Sequence, residues 1–166
     1  MTENEIILFR QITEEEQIVS EVYMKFSEIF PEDRDFWWRL AMEEKAHASI
    51  GKSIQEIFAP MKLYPKTLLS ESVDNLRKCI DEKKALLETL EKNPLALTRE
   101  QALAAAIKIE DSDVEKIFQE IMEKIPETRE DKLFQRLNKD TSDHIKKLKK
   151  YAAEAGLDIS DPATAS

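Results

Sequence analysis

Residues 35–58 read DFWWRLAMEEKAHASIGKSIQEIF, and this stretch contains both the helical pattern and the polar residues that decide the fold. Its apolar and small residues recur at helical spacing; they are Trp37, Leu40, Ala41, Ala48, Gly51, Ile54 and Phe58. At about 100° per residue, Glu44 lies within roughly 40° of Trp37, and His47 follows one turn later on the same face. Glu43 is turned roughly 100° away. The stretch therefore predicts a helix, helix B, that directs a carboxylate and an imidazole toward the core.

The composition of the whole chain favours an all-α protein. Only 2 of 166 residues are glycine and 36% are charged, a composition typical of helices rather than of turn-rich sheets. With 42% hydrophobic residues, the chain has enough apolar surface for one core. We expect a single domain over residues 1–158, followed by a small, polar and flexible tail over residues 159–166.

Charge and hydropathy exclude several classes of protein. Lys and Arg number 25 against 34 Asp and Glu, a formal net charge of -9, which disfavours a surface that binds nucleic-acid phosphates. The longest apolar stretches, such as 36–38 and 102–107, are far shorter than the roughly 18–20 residues that cross a bilayer. Because the start lacks a secretion signal, we expect a cytoplasmic protein with neither nucleic acid nor membrane as a partner. The single cysteine, Cys79, excludes an internal disulfide.

Three further long helices and one shorter helix follow from the remaining apolar patterns. Helix A covers residues 4–30 and ends before Pro31, and a shorter amphipathic segment covers about 71–92. Helix C begins at a capping box formed by Thr98 and Gln101 and ends near residue 126, and helix D runs from 128 or 130 to Gly156. The lengths predict a four-helix bundle in which the shorter segment is a long helical crossover between helices B and C.

Polar residues interrupt the apolar faces of helices A, C and D as well. Among three consecutive glutamates in helix A, only Glu16 is predicted to face the core. Helix C directs Glu110 inward, with Asp113 one turn later. Helix D places His144 on its apolar face, with Asp140 one turn earlier. Every predicted helix of the bundle thus brings at least one titratable side chain to the interior.

Burying charged side chains in the interior of a bundle costs free energy unless they are paired or coordinate a metal ion. The two pairs of helices repeat the arrangement, since 31 residues separate Glu16 from His47 and 34 separate Glu110 from His144. These are the only histidines in the chain. Converging carboxylates and imidazoles inside a helix bundle are the ligand set for two adjacent iron or manganese ions.

The pattern resembles the ferritin-like superfamily, and most closely its rubrerythrin-like branch, over roughly residues 5–155. Three features carry the resemblance: Glu16 lies seven residues before Tyr23, residues 43–48 read EEKAHA, and residues 98–103 read TREQAL ahead of Glu110. The resemblance implies that one metal ion is held by Glu16, Glu44 and His47. It implies that Glu110 and His144 contribute to a second ion. Tyr23 is the candidate catalytic residue, as a donor close to the metal ligands.

The second metal site departs from the family pattern at one position. The resemblance implies a bridging carboxylate three residues before the second histidine, where this chain has Thr141. A threonine hydroxyl is a poor ligand, so the second site is impaired unless Asp113 or Asp140 replaces the missing acid. Iron, as two ions, is the expected cofactor, and manganese or zinc are alternatives.

Three functions are compatible with this pattern. The first is a non-haem di-iron protein that oxidises Fe(II) or reduces dioxygen or peroxide. Such a protein would be an oxidoreductase of the ferroxidase or peroxidase type. The second is a degenerate member that binds one metal ion without turnover, for which Thr141 is the motive. The third is a metal-free structural or interaction bundle. The expected partners are metal ions and a small oxidant, and the alanine-rich residues 102–106 suggest a homodimer as well as close packing within the bundle.

Overall fold

The computed structural model of the protein describes residues 2–70, 73–112, 120–137 and 144–159, and within these ranges the chain forms helices and no strands. The predicted all-α class is therefore confirmed. The described α-helices are α1 (Glu3–Ile29), α2 (Arg34–Ser53), α3 (Val73–Lys92), α4 (Arg99–Glu110), α5 (Arg129–Leu137) and α6 (His144–Ala155). A 3-10 turn, Pro31–Asp33, precedes α2, and a π-helical turn, Ile54–Phe58, continues it.

Local sequence signals set the helix ends where the structure describes them. Thr2 and Glu5 form a capping box at the start of α1, and Thr98 and Gln101 form the predicted one at the start of α4. After α6, Gly156 adopts a left-handed conformation with φ 67°, which glycine reaches without steric cost. The prediction of one continuous helix C from Thr98 to about residue 126 is wrong, because α4 ends at Glu110 and the two residues after it form a turn. Residues 113–119 of predicted helix C and residues 138–143 of predicted helix D lie outside the described residues.

Helix α1 is the centre of the fold, because it packs against both α2 and α3. The residues that it buries include Phe9, Ile12, Val19, Val22, Tyr23 and Phe26. Helix α3 is the segment predicted as a crossover, and it places Leu76, Ile80 and Leu90 in the same core. Helix α4 packs against α6. Helix α1 is therefore covered by other helices on more than one side.

A buried carboxylate connects three helices. Asp33, next to the start of α2, accepts hydrogen bonds from Arg99 at 2.8 and 2.5 Å and from the Tyr151 hydroxyl at 2.6 Å. Arg99 begins α4, and Tyr151 lies on α6. These contacts fix the positions of the three helices that carry most of the candidate ligands. Among the described helices, none has the length and apolar character needed to span a membrane.

A candidate metal centre

Five of the predicted ligands come together in the interior, each from a helix that was predicted to supply it. Helix α1 provides Glu16, α2 provides Glu44 and His47, α4 provides Glu110, and α6 provides His144. Glu44 has no exposed surface and Glu16 is 2% exposed, while Glu110 and His144 are also buried. They form two ligand groups, in each of which the ligand atoms lie within 4.8 Å of one another.

The first ligand group consists of Glu16, Glu44 and His47. His47 Nδ1 lies 3.0 Å from Glu44 Oε2 and 3.8 Å from Glu16 Oε2. Because Glu44 and His47 are three residues apart on α2, one turn of helix places both on the same face. Glu16 approaches from α1, which packs closely on α2. The group therefore offers one nitrogen and two carboxylates to a single point in the core.

The second ligand group consists of Glu44, Glu110 and His144, so it shares Glu44 with the first. His144 Nδ1 lies 2.6 Å from Glu44 Oε1 and 3.2 Å from Glu110 Oε2. The two oxygens of Glu44 thus face different histidines. The imidazole rings of His47 and His144 stack with their centroids 5.5 Å apart. This is the arrangement of a carboxylate that can bridge two neighbouring cations.

Tyr23 lies against the second ligand group. It is fully buried, and its hydroxyl donates a hydrogen bond to Glu110 Oε1, leaving Glu110 Oε2 directed at His144. Its ring also packs against Trp37, with centroids 5.7 Å apart. Tyr23 is therefore placed to orient a ligand carboxylate. Two other predicted ligands, Asp113 and Asp140, lie outside the described residues, as does Thr141.

Burial raises the pKa of both central carboxylates, but the histidine contacts reverse this effect for Glu44 alone. Burial raises the pKa of Glu16 well above its ordinary value, and the negative charge of Glu44 adds to this effect. Burial also favours the neutral form of Glu44, but the close contacts with His144 and His47 outweigh it and leave the pKa of Glu44 well below its ordinary value. Glu44 is therefore an ionised carboxylate between two imidazoles.

Both histidines are surrounded by acceptors. Burial opposes a charge on His47, but Glu16 and Glu44 outweigh it and raise the pKa of His47 to about 10. Burial likewise opposes a charge on His144, but Glu110, Glu43 and Glu44 raise its pKa well above the ordinary value. Without metal, each imidazole therefore carries a proton that a cation would have to displace.

Two buried oxygens in the centre are left without hydrogen bonds. Neither Glu16 Oε2 nor Glu44 Oε1 accepts one from any part of the chain that the structure describes. Glu44 Oε1 lies close to His144 Nδ1, but the pair lacks the alignment of a hydrogen bond. An unsatisfied carboxylate oxygen in a dry interior is costly, and a metal ion removes that cost. The donor set of carboxylates and imidazoles therefore fits a divalent transition metal.

The structure corrects two expectations about neighbouring residues. Glu15 was expected to point away from the core, yet it is 1% exposed, because α3 covers the side of α1 that α2 leaves open. Its partner there is Lys83 of α3, which is also buried. A helical wheel of α1 with a single apolar face misses Glu15. The signal for Lys83 was its position within the stripe formed by Leu76, Ile80 and Leu90.

Glu43 was also expected to lie apart from the site, but it contacts His144 from the outer side. Glu43 Oε2 is 2.8 Å from His144 Nε2, and Lys147 of α6 holds the same carboxylate at 2.6 and 2.7 Å. The hydrogen bond from His144 lowers the pKa of Glu43. Glu43 and Lys147 also line a surface groove of about 680 Å³. Glu43 therefore connects the groove to the buried imidazole.

Comparison of the chain with protein-family models, with curated proteins and with solved structures finds no match. The structure nevertheless contains candidate metal-binding groups, formed by residues that the sequence pattern singled out.

Proposed function

We propose that the protein is a ferritin-like metal protein of the rubrerythrin-like kind, which binds two adjacent divalent ions inside a four-helix bundle. Glu44 is the observation that carries the proposal, because its two oxygens face two histidines on different helices. A carboxylate shared between two ligand groups could contribute to both sites of a two-metal centre. In this proposal α1, α2, α4 and α6 belong to the bundle, and α3 is the crossover helix.

Each ion has an assigned set of ligands. Glu16, Glu44 and His47 would hold one, and Glu44, Glu110 and His144 would hold the other. Iron is the proposed metal, with manganese or zinc as alternatives, because mixed carboxylate and imidazole ligands suit all three. Two adjacent iron ions supply the electrons that reduce dioxygen or peroxide, so Fe(II) oxidation or oxidant reduction is the proposed activity.

The residues around the ligands support this chemistry in distinct ways. The hydrogen bond from Tyr23 fixes the orientation of Glu110. Buried side chains such as Trp37 and Leu40 exclude water from the centre. Glu43 and Lys147 lie where the surface groove meets His144, and a small oxidant would enter from that side. These roles concern positioning and access only.

A second candidate function is a helical bundle that binds one metal ion or none. The observation that favours it is the pairing within the cluster, since both imidazoles already contact ligand carboxylates without a cation. Thr141, in place of the bridging acid that the resemblance implies, points the same way. On this basis Thr141→Glu should increase the metal loading of the second site.

Metal content separates these candidates. The protein is stripped with a chelator, loaded with Fe(II) under anaerobic conditions, desalted and measured by elemental analysis. If the proposed function is correct, we expect close to two equivalents of iron per chain in the wild type. Glu44→Ala should lose most of this iron. Glu21→Ala, which changes an exposed glutamate of α1, should lose none. Less than about 0.3 equivalents in the wild type would exclude both metal-binding functions.

Exposure of the loaded protein to air then separates a redox-active pair of ions from a single ion. A new near-ultraviolet absorption band, absent from Glu44→Ala, is expected for paired iron. Bound iron that gives no such change would favour the degenerate one-metal alternative.

A further inference from the structure

Aromatic rings in contact connect the candidate metal centre with the surface groove. Tyr23, whose hydroxyl contacts the candidate ligand Glu110, packs on Trp37 with ring centroids 5.7 Å apart. Trp37 packs edge to face on Phe36 at 5.2 Å, and Phe36 stacks on Tyr151 at 3.8 Å with the ring planes only 6° apart. Phe36 and Tyr151 line the groove. These four rings, the aromatic row, therefore run without interruption from the buried ligands to the surface.

Packing alone does not account for the indole of Trp37. Trp37 is 1% exposed, and its Nε1–H donates no hydrogen bond to any part of the chain that the structure describes. A buried N–H without an acceptor costs free energy, and a phenylalanine at this position would place a ring against Tyr23 and Phe36 without that cost. Unlike the phenylalanine ring, an indole is readily oxidised by one electron. The tryptophan therefore provides a redox property that packing does not require.

The ring contacts of Trp37 form two branches that differ in chemistry. One branch leads through Phe26 to Phe30, with successive centroids 4.9 and 6.1 Å apart, and ends at a ring that is not readily oxidised. The other branch leads through Phe36 to Tyr151, whose phenol loses one electron far more easily. Because electron transfer between rings weakens steeply with distance, the stacked rings give Trp37 a short route to an oxidisable side chain at the groove.

Tyr151 also has the proton acceptor that its oxidation requires. A phenol that loses one electron becomes a very strong acid, so its oxidation is easy only where a base takes the proton. The Tyr151 hydroxyl donates a hydrogen bond to Asp33 at 2.6 Å. Burial favours the neutral form of Asp33, but hydrogen bonds from Arg99 and Tyr151 outweigh it and lower the pKa of Asp33, so this carboxylate is ionised. An oxidised Trp37, which lacks such an acceptor among the described residues, would therefore draw an electron from Tyr151.

We propose that Trp37 and Tyr151 form a path for single electrons between the buried centre and the surface groove. This inference rests on the proposed function, in which an oxidant of the peroxide class reacts in the interior. The path gives that interior access to a donor that never leaves the surface. The groove, at about 680 Å³, has the size of a site for a small organic molecule.

Each step of the path moves one electron, and the proton is accounted for. Oxidation in the interior removes one electron from Trp37, whose indole becomes a radical cation and keeps its Nε1 proton. Tyr151 passes one electron to this radical cation while its hydroxyl proton moves to Asp33, which leaves a neutral tyrosyl radical and a protonated carboxyl group. A one-electron donor in the groove, of the enediol or hydroquinone class, reduces the tyrosyl radical, and Asp33 returns the proton. The net result is one electron transferred from this donor to the interior oxidant.

Flash photolysis of the metal-free, full-length protein tests the path. The background variant carries Trp38→Phe and Tyr23→Phe, so that Trp37 is the only indole and Tyr23 cannot supply the electron. A laser pulse at the red edge of the indole absorption, where tyrosine does not absorb, ejects an electron from Trp37. Transient absorption follows the indole and tyrosyl radicals separately. We expect a tyrosyl radical to form as the indole radical decays, and decay of the indole radical without a tyrosyl radical would overturn the proposal.

Tyr151→Phe, added to this background, identifies the tyrosine that reacts. It should remove most of the tyrosyl signal and lengthen the lifetime of the Trp37 radical. Tyr64→Phe is the matched control, because the Tyr64 hydroxyl also donates to a carboxylate, that of Glu5 at 2.9 Å, but its ring packs against Phe9, outside the aromatic row. Tyr64→Phe should leave the tyrosyl signal unchanged. Equal tyrosyl signals with and without Tyr151 would contradict the assignment.

The bridge and the proton acceptor are tested separately. Phe36→Leu keeps an apolar side chain but removes the ring, so it should slow tyrosyl formation several-fold, and an unchanged rate would contradict the route through Phe36. Asp33→Asn removes the base and should also slow tyrosyl formation. In the background variant itself, tyrosyl formation should be slower in deuterium oxide, because the hydroxyl proton moves with the electron, and equal rates in the two solvents would contradict the role of Asp33. Far-ultraviolet circular dichroism checks that each variant is folded.

The photochemical test needs no metal ion, so its outcome is independent of metal binding. A protein that forms the tyrosyl radical but binds no iron would contradict the proposed function and support the path between Trp37 and Tyr151. A protein that binds two iron ions but forms no tyrosyl radical would overturn the path alone.

Discussion

Glu43 illustrates how a side chain at the edge of the candidate metal centre can orient the imidazole of a candidate ligand, His144. His144 directs Nδ1 toward Glu44 and Glu110, and its other nitrogen, Nε2, faces Glu43. A carboxylate at Nε2 favours the tautomer whose proton lies there, which leaves the lone pair of Nδ1 available to a metal ion. Lys147 in turn holds Glu43 in place. In the proposed metal centre, Glu43 would therefore be a positioning residue for His144.

We expect Glu43→Ala to weaken metal binding by about 10–100-fold, because the imidazole loses the partner that fixes its tautomer and orientation. Competition with a chelator of known affinity measures the change. Glu43→Gln retains an acceptor oxygen and should recover part of the affinity. Glu154→Ala, which alters another glutamate lining the same groove, serves as the control. Equal affinity of the wild type and Glu43→Ala would show that the contact has no such role.

The protonation of His47 predicts opposite pH dependences for the metal-free and the loaded protein. In the metal-free fold the pKa of His47 is raised from 6.5 to about 10. Its stabilising contribution is therefore complete below pH 6.5 and is lost as the pH rises toward 10. Urea unfolding in the presence of a chelator should show a decrease of at least about 1 kcal/mol across this window. Mn(II) affinity should increase over the same window, because binding displaces the proton.

A His47→Gln variant provides the control for this pH dependence, since it cannot titrate. Its metal-free stability should change less between pH 6.5 and 10 than that of the wild type. Metal-free stability that rises with pH in the wild type would contradict the assignment of a protonated His47.

At the scale of one element, α4 shows how a local cap stabilises the helix that carries a candidate ligand. The Thr98 hydroxyl accepts a hydrogen bond from the Gln101 backbone amide, and the Thr98 backbone amide donates one to the side-chain oxygen of Gln101. The same helix carries Glu110 at its other end. Thr98→Ala should lower the free energy of unfolding, measured by urea denaturation, by about 1 kcal/mol. Thr98→Ser should lower this free energy much less, because its hydroxyl can still accept the hydrogen bond. Equal stability of the alanine and serine variants would argue against the cap.

At the scale of the whole molecule, metal binding is expected to stabilise the fold. The ligands come from four helices, so an ion bound at the centre links elements that the unfolded chain does not hold together. At a free metal concentration about one hundred times the dissociation constant, the stabilisation should be about 2.7 kcal/mol. Thermal unfolding with and without Mn(II) measures it, and Glu44→Ala should abolish the shift. An identical melting temperature with and without Mn(II) in the wild type would count against a metal centre.

The sequence by itself determined the helical class and most helix ends. The capping box at Thr98 and the glycine at position 156 act through local geometry, so both can be recognised from the sequence before the fold is known. The inward direction of Glu16, Glu44, Glu110 and His144 also followed from helical periodicity, because each falls within one apolar stripe. The family resemblance and the metal function stay predictions.

Only the tertiary structure decided which residues surround those ligands. Glu15 lies on a side of α1 that is buried because α3 packs there, and Glu43 reaches His144 because α6 lies next to α2. Periodicity along one helix describes a direction relative to that helix alone. Whether a direction leads to water or to another helix depends on packing between segments far apart in sequence, and so does the neutralisation of each buried charge.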